Sequence, residues 1–111
     1  MELFTTKDPR GFIVTCTREC WNTHLYTHPE IEGRESEAKK AIESPKHGCI
    51  YLSNHHLQGQ PPDRHVFYRS VAGRKAELRI VVQFDGENKG IVRSIGFVSR
   101  RPEKEYLIWP K

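Results

Sequence analysis

Long apolar runs are missing from this sequence of 111 residues. No stretch approaches the roughly 20 apolar residues that a helix needs to cross a bilayer, and the opening MELFTTKDPRGF lacks the basic-then-apolar order of a signal peptide. We therefore expect a soluble, cytoplasmic protein with no membrane partner. Hydrophobic residues are scarce, at 36% of the chain, but they cluster, which predicts a single compact domain over residues 1–111.

Cysteine is also rare in this chain. Cys16, Cys20 and Cys49 are an odd number of cysteines and show no paired spacing. A disulfide framework is therefore not expected, and reduced thiols fit this pattern better.

Acidic residues are few in the second half of the chain. Residues 1–45 hold six Lys/Arg and eight Asp/Glu, a net charge of −2, whereas residues 46–111 hold twelve and six, a net charge of +6. A basic half favours an anionic partner, and nucleic acid is the usual one. A solvated basic surface without any partner is the alternative interpretation.

The order of patterns along the chain predicts an α+β fold. A β-branched strand over Gly11–Thr17 precedes a helix that begins near Thr17, and a second helix follows over Glu35–Pro45. Strands joined by turns and one longer loop, NHHLQGQPPDR, then follow, and such neighbours form antiparallel pairs. We expect two N-terminal helices packed on one face of an antiparallel sheet of four or more strands. The later strands are predicted over residues 48–53, 65–71, 76–85 and 90–100, with a last apolar segment, EYLIWP.

Two histidines, His24 and His28, share one face of the first predicted helix, which Pro29 ends. They could bind a metal, pack at the core margin or move protons. A metal is disfavoured, because Cys20 and His28 would lie roughly 12 Å apart along a straight helix and cannot both reach one ion. We therefore expect no metal site and no cofactor, and packing and proton transfer stay open.

Metal-free RNA cleavage would use residues of the kinds found here. It needs a base for the ribose 2′-hydroxyl, an acid for the leaving 5′-oxygen and cations for the phosphate. Histidine suits acid or base work, and arginine binds two phosphate oxygens at once. The predicted strands supply four arginines, a tyrosine that can stack on a base and a serine that can bind a phosphate oxygen. These residues are Arg69, Arg79, Arg93, Arg100, Tyr68 and Ser94.

The stretch TRECWNTHLYTHPEI resembles the helix opening of small phage and bacterial proteins of the barnase–EndoU–colicin–RelE-like (BECR) nuclease group. Members tend to read Thr-x-x-x-Trp-x-x-His-hydrophobic and then His-Pro-Glu, and VFYR, LRIVVQFD and GIVRSIGFVSR resemble their later strands. Ser94 stands where members usually carry threonine, and Gly96 adds a break that they lack. The matching positions of the helix are Thr17, Trp21, His24, Leu25, His28, Pro29 and Glu30.

The resemblance implies a metal-independent RNA endonuclease that cuts by 2′-hydroxyl attack, in a group where toxins of toxin–antitoxin or phage-derived systems are common. RNA and a cognate antitoxin or immunity protein are the partners that this implies. We predict His24 and His28 as the proton-transfer residues, with Arg69, Arg79 and Ser94 on the phosphate. Tyr68 and Arg100 are the predicted substrate contacts. The rival hypothesis is a non-catalytic module of the same fold that binds nucleic acid or a protein partner.

Overall fold

The structure, a computed structural model, describes residues 1–53, 63–102 and 105–110. Within these ranges the chain forms seven strands and two α-helices, with short 3-10 turns at Pro29–Ile31 and Lys46–Gly48. The helices are α1 (Arg18–Thr27) and α2 (Glu35–Glu43). The strands are β1 (Glu2–Lys7), β2 (Ile13–Thr17), β3 (Ile50–Leu52), β4 (Asp63–Ser70), β5 (Glu77–Phe84), β6 (Lys89–Val98) and β7 (Tyr106–Trp109).

The described strands form one mixed sheet in the order β1-β2-β6-β5-β4-β3-β7. All neighbours are antiparallel except β2 and β6, which run parallel through Ile13–Thr15 and Lys89–Ile91. The predicted antiparallel sheet is therefore wrong. β1 was not predicted, and it forms a hairpin with β2 through a turn in which the Gly11 N–H donates to the Asp8 carbonyl. The opposite edge of β2 then pairs with a strand more than 70 residues later in the chain.

The two helices do not form the predicted layer on one face of a four-stranded sheet. Helix α1 packs mainly against β6, whereas α2 packs across β1, β4 and β5. The start of α1 agrees with its sequence, because the Thr17 hydroxyl accepts a hydrogen bond from the Cys20 N–H at 3.1 Å. Its end also agrees, because His28 leaves helical geometry directly before Pro29.

The main core lies on the face of the sheet that α2 covers, which we call the inner face. Leu78, Ile80, Val82 and Phe84 of β5 point into it, as their alternation predicts. The other face, the outer face, carries a small buried cluster of Val66, Tyr68 and Val81. The inner core also contains Trp21, Ile31, Ala38, Ala41, Ile42, Val14, Cys16, Ile50, Phe67, Val92 and Ile95.

Strand β6 contains a β-bulge in the middle of its pairing with β5. Val81 is opposite Ser94 and Val82 is opposite Val92, so Arg93 is the extra residue. A bulge bends the strand and re-aims the side chain of the unpaired residue, and bulges are common beside functional sites. Arg93 is exposed, and it marks where the candidate site begins.

Candidate functional site

A groove of about 650 Å³ crosses the outer face over β2, β6 and β5. Its size is in the range of small-molecule and substrate sites. Apolar and polar side chains alternate along it, and the turn between β5 and β6 forms one end. The residues that matter below are Ile13, Thr15, Gln83, Asp85, Lys89, Ile91 and Arg93.

Arg93 links this groove to a second hollow against helix α1. The second hollow is lined by Cys20, Thr23 and His24, and Arg93 lines both. The parallel pairing of β2 and β6 ends at Thr15 and Ile91, and β2 runs on into α1. The helix is thereby placed beside β6, where its half-buried His24 faces the bulge.

The imidazole of His24 is held in one orientation. Its Nδ1 lies 2.9 Å from the Cys20 carbonyl oxygen. A carbonyl only accepts, so Nδ1 carries the proton and the neutral ring keeps its lone pair on Nε2. This is the tautomer that a general base acting through Nε2 requires.

The Cys20 thiol is unreactive because its surroundings keep it protonated. Burial raises the pKa of the thiol, and nearby Arg93 offsets this only in part. Its Sγ donates to the Val92 carbonyl oxygen at 3.2 Å, which ties α1 to β6. The thiolate is the form that ligates metals and attacks electrophiles, so the structure gives Cys20 an anchoring position rather than a reactive one.

His28 lies on the outer face further along β6. A Cβ built on Gly96 would lie 3.8 Å from the His28 ring, and Gly96 is directly opposite Arg79. An alanine at this position would meet the imidazole at an ordinary van der Waals distance, so Gly96 is not required to make room for His28. The His28 Nδ1 is 3.4 Å from the Oε1 atom of Glu30.

Arg79 and Tyr68 lie together on the outer face, and a third residue already binds both. The Arg79 Nη2 donates to Glu105 at 2.6 Å, the Tyr68 hydroxyl donates to the other oxygen of that carboxylate, and Arg79 Nε donates to the Tyr68 oxygen at 3.3 Å. The Glu105 side chain is only 4% exposed. Burial, followed by the bond to Glu105, raises the pKa of Tyr68. The arginine predicted to hold phosphate is thus paired within the protein.

The other predicted residues do not converge on one place. Ser94 lies on the outer face opposite Val81, between Arg93 and Gly96. Arg69 is opposite Leu78, whose side chain is in the inner core, so Arg69 lies on the face away from Arg79. Arg100 is exposed in the bend after β6.

A second polar cluster, formed by Asp8, Arg10 and His65, was not predicted from the sequence. The Arg10 guanidinium donates to Asp8 at 2.6 Å and lies 3.0 Å from the His65 Nδ1, and the His65 ring stacks on Phe84. Burial, and then the charge of Arg10, lowers the pKa of His65 to about 4. His65 is therefore neutral at pH 7, inside the inner face and away from the groove.

The bulge at Arg93 and the amide of Gln83, both at the groove, had no decisive sequence signal, and neither did the Glu105 carboxylate that binds Arg79. In the part of the chain that the structure describes, no three His, Cys, Asp or Glu side chains group so as to hold a metal ion. Most of the predicted loop NHHLQGQPPDR, with His55 and His56, lies outside that part. Among the described residues no helix is long and apolar enough to span a membrane.

Comparison of the chain with protein-family models, with curated proteins and with solved structures finds no match. The likeness to BECR nucleases therefore stays a prediction from the sequence, and the site has to be judged on its own geometry.

Proposed function

We propose that this protein is a metal-independent RNA endonuclease whose cleavage site lies on the outer face of β6. The observation that carries the proposal is that His24 and Arg93 line the same hollow. A histidine whose Nδ1 is fixed by a carbonyl shares a hollow with an exposed arginine on a β-bulge. Such a pair supplies a base and a phosphate-binding cation without any metal.

The reaction would proceed by attack of the ribose 2′-oxygen. His24 Nε2 takes the 2′-hydroxyl proton, the 2′-oxygen forms a bond to phosphorus, and the bond from phosphorus to the 5′-oxygen breaks. A protonated His28 gives its proton to that 5′-oxygen. The products are a 2′,3′-cyclic phosphate and a free 5′-hydroxyl, and atoms and charges balance without a co-reactant.

The structure supports this division of roles through the partners of the two rings. The His24 Nδ1 lies 2.9 Å from the Cys20 carbonyl oxygen, which leaves Nε2 to accept a proton, whereas the His28 Nδ1 lies 3.4 Å from a Glu30 carboxylate oxygen. Arg93 would bind the phosphate oxygens as charge develops, and Ser94 lies between the two histidine positions along β6. Arg79 takes no part in this scheme, because Glu105 already neutralises it.

A non-catalytic RNA-binding module is the second candidate, and one observation favours it. Arg79 and Tyr68, the pair best suited in sequence to hold a nucleotide, form a closed network with Glu105. A protein with that network would bind RNA through Arg93 and leave it intact. The toxin role, with an antitoxin or immunity partner, rests on the resemblance alone.

The test is the fate of a labelled single-stranded RNA incubated with the protein in excess chelator. We expect cleavage, with products that mass spectrometry identifies as 2′,3′-cyclic phosphates, and loss of cleavage in His24→Ala. A gel shift of intact RNA would favour the binding module. His47→Asn is a matched control, because His47 lies outside the groove at φ 58°, a conformation that asparagine tolerates.

A further inference from the structure

The groove contains groups that the cleavage chemistry does not use. Thr15, Ile91 and Gln83 form a row across its floor, because Ile91 is directly opposite Thr15 on β2 and Gln83 on β5. Ile91 is 44% exposed, and Ile13, two residues before Thr15 on β2, is 42% exposed. The two isoleucines form an apolar shelf, with an amide on one side and a hydroxyl on the other.

The charges around this shelf favour an anionic ligand. Lys89 and Arg93 both line the groove, whereas Asp85 is its one acidic lining residue. The Asp85 carboxylate accepts hydrogen bonds from the backbone N–H groups of Glu87 and Lys89 at 2.8 and 3.0 Å. Its charge is thereby partly satisfied within the turn. The Lys89 Nζ lies 3.8 Å from a Glu87 carboxylate oxygen, so an anionic ligand would depend mainly on Arg93.

The order of groups along β6 matches the order of parts in a nucleotide. Arg93 lies two residues beyond Ile91, a separation of at most roughly 6–7 Å along a strand, which the bulge shortens. A phosphate at Arg93 therefore places the attached sugar near Thr15 and Ile91 and the base above the isoleucine shelf. The Gln83 amide, with one acceptor and two donors, can then bond to the edge of the base.

We propose that the groove binds one nucleobase of single-stranded RNA next to the phosphate held by Arg93. Ile13 and Ile91 contact the face of the base, and Gln83 determines which base is preferred. The choice of RNA as ligand rests on the proposed function. The binding itself does not require cleavage, so the two proposals can fail separately.

The experiment is an NMR titration of the isotope-labelled protein with the 3′-monophosphates of adenosine, guanosine, cytidine and uridine, and with ribose 5-phosphate. We expect the nucleotides to shift the amide signals of Thr15, Gln83 and Ile91. Ribose 5-phosphate should shift signals around Arg93, Thr15 and Ile91, where its phosphate and sugar lie, but not the signal of Gln83. If nucleotides shift the groove signals no more than ribose 5-phosphate does, the base site is refuted.

Two variants separate the shelf from the amide. Ile91→Ser should weaken nucleotide binding about fivefold, because exposed apolar contact area is lost, while Leu107→Ser should leave it unchanged. Leu107 is a matched control, an exposed aliphatic residue on the far edge strand. Gln83→Leu should change the relative affinities of the four bases by about tenfold. An unchanged order of preference would refute the role of Gln83.

Cleavage measured on the same wild-type sample keeps the outcomes distinct. Groove shifts without RNA cleavage would refute the nuclease and support the base site. Cleavage without groove shifts would support the nuclease and refute the base site.

Discussion

Replacing His24 with alanine should abolish cleavage while leaving the protein folded. The side chain is half-buried, and its Nδ1 lies 2.9 Å from the Cys20 carbonyl oxygen and 3.7 Å from the Cys20 Sγ, both within its own helix. Loss of a hydrogen bond costs about 0.5–1.5 kcal/mol, and alanine recovers part of this through its higher helix propensity. A typical domain has 5–15 kcal/mol of stability, so the variant should fold.

The expected loss of activity is much larger than the loss of stability. Removing a general base lowers the rate by roughly 10²–10⁴-fold, or about 3–5 kcal/mol in activation free energy. Thermal unfolding and RNA cleavage should be measured on the same preparations of the wild type, His24→Ala and the His47→Asn control. Wild-type cleavage by His24→Ala would refute the assignment, and so would an activity loss that merely tracks unfolding.

Three further predictions follow from the charged groups. Arg93→Gln should reduce the slope of log affinity against log salt for single-stranded RNA by about 0.7, because one phosphate contact is lost. Glu105→Gln should lower the free energy of unfolding by roughly 2–3 kcal/mol, since it leaves the partly buried Arg79 without its counter-charge; denaturant unfolding measures this. His65 has its pKa lowered to about 4 in the folded state, so its contribution is complete above pH 6.5. That contribution, up to about 3 kcal/mol, should be lost as the pH falls from 6.5 to 4, and His65→Gln should flatten this part of the stability profile.

Each of these predictions has a control or a contradicting result. Lys75→Gln removes the same charge from an exposed turn and should leave the RNA salt slope unchanged. Glu87→Gln alters a carboxylate that is 79% exposed and should change stability by less than about 0.5 kcal/mol. If His65→Gln shows the same acid dependence as the wild type, another group is responsible for it.

Local sequence signals predicted the helices and the central strand. Thr17 and Pro29 mark the ends of α1, and the alternation from Leu78 to Phe84 marks β5, because caps, prolines and period-two patterns act within a few residues. Pro9 and Gly11 predict a break before β2, but they do not indicate that an earlier strand pairs with β2. Its partner ELFTTK carries two adjacent apolar residues and no clear alternation, so β1 was missed.

Long-range pairing accounts for the remaining errors. Nothing near Ile13 indicates that it will pair in parallel with Lys89, and that pairing makes the sheet mixed. Glu105 likewise reaches Arg79 from 26 residues away. Of the residues that the sequence predicts for the site, His24, His28 and Ser94 lie on the outer face of β6 or beside it. Arg69 lies on the opposite face from Tyr68, because it is one step along β4.

Attack by the ribose 2′-oxygen requires that oxygen to be present at the bond that is cut. Two RNA oligonucleotides of the same sequence would be incubated with the protein in excess chelator, one of them with a single 2′-deoxy nucleotide at the main cleavage position. We predict that the all-ribose strand is cut there and leaves a 2′,3′-cyclic phosphate, while the substituted strand stays intact at that bond. Cleavage of the 2′-deoxy bond, or no cleavage of either strand, would contradict it.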